Sequence, residues 1–219
     1  MRRLAAAACG VLVGCCLMVM AAPIVAGSAA ALPGDTIARD LRKRAAMDEE
    51  QVLTLIATRS RAVARYGALE WRRELATASV MQRGGGPLEP AVIDRSLAQT
   101  RMALEEGPAS PQDWLRLSML EAMKGNRSVA VGHLSTALLT GADMPRLRWG
   151  VLDVGFGIWR DLPAETRAQT LEALRHAWRS ADKAERRALL VNIRSRGFLP
   201  LASTALSQED GLQEALDRI

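Results

Sequence analysis

The sequence predicts an all-α protein: antiparallel helical hairpins following an N-terminal hydrophobic segment. Three observations predict it. Helix start signals recur along the chain, at Asp48, Ser110 and Asp182. Strand signals are scarce, with few β-branched runs, little period-two alternation, one tyrosine and two phenylalanines. From Leu4 to Gly27 no residue carries a charge.

That apolar run is long enough to cross a bilayer, which takes about 20 residues. Arg2 and Arg3 precede it, and the next charge is Asp35. Positive residues stay on the cytoplasmic side, so everything beyond the run is expected outside. Pro23 and Gly27 are expected to break the helix. Ala29-Ala30-Ala31 fits the small-x-small pattern of a signal-peptidase site, so cleavage near Ala31 is the favoured reading and a retained anchor the alternative. Leu12-Val13-Gly14-Cys15 resembles a lipoprotein processing box, but Cys16-Leu17-Met18-Val19 continue it as apolar chain. The resulting division is a signal peptide or membrane anchor over 1–31, a linker or short basic helix over 32–47, and a helical domain over 48–219. The expected location is the periplasm, either free or held at the inner membrane through residues 4–27.

Composition narrows the chemistry. All three cysteines (Cys9, Cys15, Cys16) lie in the apolar segment, so the chain beyond it has no thiol for a disulfide, a nucleophile or a metal site. Loss of residues 1–31 would lower the formal charge from +5 to +3, because Arg2 and Arg3 leave and no acid does. No basic stretch is interleaved with aromatic residues, so nucleic acid is not an expected partner.

The helices follow in order. Asp48 with Gln51 forms a capping box, opening a helix with Val52, Ile56 and Val63 on one face. A second helix spans about Leu69 to Gln82, and Arg83-Gly84-Gly85-Gly86-Pro87 ends it. A third starts at Pro90. Ser110-Pro111-Gln112-Asp113 supplies a cap, a proline at the first helical position and an acid at the positive end of the dipole. The helix it opens stops at Gly125, and Asn126 begins a successor that ends at Gly141. So short a connection requires an antiparallel hairpin. Further helices begin at Pro163 and at Asp182, the second ending at Gly197, and two brief helices over residues 198–219 are expected to cover the open end.

The hairpin from Pro111 carries a resemblance. Trp114, Leu117, Gly125, Ala130, Leu134 and Ala137 stand where the tetratricopeptide (TPR) signature places its aromatic, leucine, turn residue and helix-B alanines. Pro145 follows Pro111 by 34 residues, the TPR period, and one period back lie Ala103 and Pro108. Residues 111–145 thus resemble one TPR unit, with departures at Glu121 in place of tyrosine and Ala142 in place of proline. The flanking units depart further: Arg148 takes the early aromatic position with Trp149 one step late, and RGGGP falls where a helix turn belongs. The resemblance implies a short TPR-like solenoid. The whole chain also looks like small exported TPR-like proteins of Gram-negative bacteria, some encoded near envelope-polysaccharide genes. The TPR pattern implies a partner-binding groove lined by Leu115, Met119, Met123, Arg146, Trp149, Asp153 and Phe156, with Arg146 and Asp153 as an ion pair. The competing reading places a helix from Asp48 or Pro90 on that face, making it core.

No catalytic, cofactor-binding or metal-ligating constellation is expected. His133 and His176 are read as flank or surface histidines outside any relay or metal pair. The adjacent acids Glu49-Glu50, Glu105-Glu106 and Glu209-Asp210 point about 100° apart and are read as solvated faces. Gly84–Gly86 lacks the lysine and hydroxyl of a phosphate loop. Gly155-Phe156-Gly157 lacks a preceding strand and a third glycine; the triple glycine is read as a flexible turn and Gly155-Phe156-Gly157 as a close helix contact. The functional expectation is a non-enzymatic envelope module that binds another envelope protein and uses no cofactor. A helical enzyme acting on envelope polysaccharide or peptidoglycan, and a self-associating structural subunit, are the alternatives.

Overall fold

The computed structural model describes residues 2–42, 47–81, 89–141 and 144–218. The Arg83–Pro87 turn lies outside them. Among the described residues every regular element is a helix and none is a strand. Contacts group the chain into two compact units, Met1–Glu106 and Gly107–Ile219.

The first unit holds α1 (Arg2–Ala31), a 3-10 turn (Leu32–Gly34), α2 (Asp35–Arg42), α3 (Glu49–Arg65), α4 (Leu69–Met81) and α5 (Pro90–Glu106). Each of α3, α4 and α5 packs on its neighbour, and α1 packs on α3. The Asp48 capping box forms: Gln51 N–H donates to Asp48 Oδ1 at 2.8 Å, and Asp48 N–H donates to Gln51 Oε1 at 3.1 Å. The expected helix break at Pro23 and Gly27 does not occur, because α1 runs through both. Proline removes only one helical hydrogen bond, and apolar helices tolerate that loss. Gly27 serves close approach instead: a Cβ there would lie 2.8 Å from the Trp71 ring and 2.9 Å from Tyr66 Cβ.

The described part of the region expected as cleavage site and as linker or short basic helix, up to residue 42, is built into this unit. Ala31 and Gly34 are buried, and Ala38 packs with Leu55 and Ala78. Arg59 of α3, 1% exposed, ties the parts together. Its Nε donates to Glu74 of α4 at 2.5 Å, Nη1 to the Ala31 carbonyl at 2.8 Å, and Nη2 to Asp35 at 2.9 Å. A buried guanidinium is tolerable only with such a full set of acceptors.

The second unit begins with the α6 (Pro111–Met123) and α7 (Arg127–Gly141) hairpin. Ser110 caps α6, accepting from the Asp113 N–H at 3.4 Å. Gly125 turns the chain at φ +88°, a backbone region that suits glycine. Glu121, at the expected tyrosine position, is 2% exposed and accepts from the Asn126 side-chain amide at 2.7 Å, so a carboxylate braces this turn. Ala130 is fully buried, and its carbonyl accepts from Ser118 Oγ at 2.6 Å across the hairpin.

Pro145–Leu147 form a 3-10 turn rather than the start of the next helix, which is α8 (Arg148–Gly157). Then come a 3-10 turn (Trp159–Asp161), α9 (Ala164–Ser180), α10 (Lys183–Ser195), α11 (Leu199–Ala205) and α12 (Leu212–Leu216). Gly155 lies within α8 at a close helix contact: a Cβ there would lie 2.7 Å from Thr170 Cγ2 of α9. α8 also meets α6, where a Cβ on Gly150 would lie 2.7 Å from Leu115 Cδ2. The two brief terminal helices pack as expected on α9 and α10, with Ala202, Leu206 and Ala215 buried against Leu174, Trp178, Leu190 and Ile193.

Candidate functional site

The residues expected to line a groove divide between core and surface. Leu115 is buried on α8 at Gly150. Phe156 is 2% exposed, stacked on Trp159 at 5.7 Å between centroids and tilted against Phe198 at 5.3 Å. Trp149 and Met119 are half-buried against the core clusters on either side. Met123 and Asp153 are exposed. The Arg146 side chain lies outside the described residues. Arg196 takes the Asp153 carboxylate, and its Nη1 donates to the Asp153 carbonyl at 2.9 Å. The segment after α10, through Arg196 and Phe198, therefore covers much of the α8 face.

A second surface takes shape between α10 and α12. The Asp182 capping box fixes the start of α10: Glu185 N–H donates to Asp182 at 2.8 Å, and Asp182 N–H donates to Glu185 at 3.0 Å. Leu189, Leu190 and Ile193 turn inward, which leaves Ala184, Ala188 and Val191 exposed. Arg186 is held as a fixed wall. Its guanidinium lies 5.2 Å from the Trp178 ring centroid, with Nε donating to the Trp178 carbonyl at 3.0 Å. Across from α10, Gly211 enters α12 at φ +77° and brings Glu214, Ala215 and Arg218 to the opposite side.

The cleft so formed has a volume of about 520 Å³, an alanine and valine floor, and a rim of Lys183, Arg186, Arg187 and Arg218. Its one acid, Glu214, accepts from Lys183 at 3.2 Å and from Arg218 at 2.9 Å. The hydrogen bond from Lys183, then its charge and that of Arg218, hold the Glu214 carboxyl below its ordinary range, so it stays ionised. Arg187 is exposed and has no carboxylate partner among the described residues. The rim has four cations to one anion. The sequence signal for this site is the spacing of Ala184, Ala188 and Val191, a second stripe flanked by cations and distinct from the leucine stripe that forms the core.

His133 lies against the Trp114 ring at 5.4 Å. His176 has a partner that the sequence reading passed over: Glu172, one turn earlier, lies 3.2 Å from its Nε2 on the exposed side of α9. Glu209, read as solvated, is instead a latch. Arg179 clasps both its oxygens at 2.6–3.0 Å, and next to it the Asp210 carbonyl accepts from the Trp178 indole at 3.0 Å. The hydrogen bond between Arg179 and Glu209 lowers the Glu209 carboxyl below its ordinary range and raises Arg179. Among the described residues no three His, Cys, Asp or Glu side chains converge as a metal site.

Fold and surface define a class: an all-α protein whose N-terminal helix is long and apolar enough to cross a membrane. No family model matches the chain, and no curated protein or solved structure is detectably similar to it.

Proposed function

We propose that this chain is a non-catalytic, exported interaction module of the cell envelope, and that the α10–α12 cleft receives an acidic, partly apolar segment of another envelope protein. The observation that carries this reading is the apolar floor of Ala184, Ala188 and Val191 inside a rim of four cations and one acid. Such a surface gains from burying apolar side chains and from opposite charge at the edge. Export rests on the charge-free run behind Arg2-Arg3. Stacking of the hairpins as a short TPR-like solenoid is supported by α6 meeting α8 at Leu115 and Gly150. The link to envelope polysaccharide assembly rests on the family resemblance alone.

An enzyme acting on envelope polysaccharide would need a carboxyl able to exchange a proton in a cleft. Glu214, the acid of this one, is taken up by Lys183 and Arg218 on the rim, which favours the binding reading. A photo-cross-linking amino acid in place of Val191 tests it. The expected product is an adduct with a different envelope protein, joined at an acidic segment and weakened by Arg187→Glu or by high salt. An adduct between two copies of this chain would replace the reading with self-association, and no adduct would remove the cleft as a docking site.

A further inference from the structure

We infer that α1 is not removed after export, and that it stays in the bilayer as an anchor whose last turn is part of the folded domain. Two observations carry this. The first is how α1 ends. Gly27 is packed under the Trp71 ring and Tyr66, Ala31 is 2% exposed, and the Ala31 carbonyl is one of the three acceptors of buried Arg59. A peptidase acts on an extended segment before this packing exists, but its product would lack part of the core. Cutting after Ala31 would strip the cover from Trp71. It would also take away one of the acceptors of Arg59 and set the new ammonium of Leu32 beside that guanidinium, two cations where a neutral carbonyl had been.

The second observation is how α1 begins. Every residue from Cys15 to Val25 is exposed, and the consecutive Leu17, Met18, Val19 and Met20 are 62–74% exposed. Successive helical residues point about 100° apart, so this stretch is apolar on all sides and no domain face covers it. Its fitting surroundings are acyl chains. Leu4 to Val25 spans about 33 Å at 1.5 Å per residue, against about 30 Å of hydrocarbon. Docking then follows directly, so the domain is held at the membrane surface with no flexible tether between.

This inference is independent of the cleft. Its test is the intact mass of the full chain, tagged at its C-terminus and purified in detergent from bacterial membranes, together with carbonate extraction. The expected result is a chain that retains residues 1–31 and stays in the carbonate-washed membrane. A mature start at Leu32, a lipid-modified start at Cys15, or release by carbonate would each overturn it. Gly27→Val checks the docking separately. The added methyls would strike Trp71, so the melting temperature of the full chain should fall by several degrees. An unchanged melting temperature would mean that α1 does not dock.

Discussion

Arg59 is the residue on which the first unit turns. It is buried with acceptors from three separate segments, Ala31, Asp35 and Glu74. Arg59→Met should lower the stability of the detergent-solubilised full chain by about 3–5 kcal/mol, because the Ala31 carbonyl, Asp35 and buried Glu74 would all lose the guanidinium that joins them. Adding Glu74→Gln should recover part of that loss, since a neutral amide replaces a buried carboxylate whose contact with Arg59 is gone. Denaturant unfolding measures both, and a single variant as stable as the parent would show that the cluster does not form. No local pattern in the sequence marks this residue. Arg59 sits among Arg61 and Arg65 on a helix that could have shown any of them to solvent, and only the tertiary contacts select it.

At the scale of elements, local rules succeed where the deciding interactions are local. Both capping boxes, at Asp48 and Asp182, form as their spacing requires. The α6–α7 hairpin follows from a proline, a glycine and two apolar stripes. Ala130→Leu should destabilise the second unit by roughly 1–3 kcal/mol, because Ala130 is fully buried at a crossing close enough for Ser118 to reach its carbonyl. Thermal unfolding reads this, and parent-like stability would place the crossing elsewhere. The expected groove shows where such rules stop. Spacing places Trp149 and Phe156 on one face of α8, but it carries no information about Arg196 and Phe198, some 40 residues on, which meet α8 at Asp153 and Phe156. The α10–α12 cleft escaped for the opposite reason. Ala184, Ala188 and Val191 are small beside the leucine stripe, and they matter only because α12 comes to lie across from them.

For the whole molecule, the apolar helix and the charged cleft are linked by sidedness. The helix has its arginines at one end and its docked turn at the other, so the domain and its cleft should both lie outside the cytoplasmic membrane. The cleft can meet an envelope partner only if that orientation holds. Alkaline phosphatase, which becomes active only after export, can be fused to the C-terminus of the full chain in bacteria. The expected result is an active, membrane-bound fusion. An inactive fusion with its phosphatase retained in the cytoplasm would contradict it.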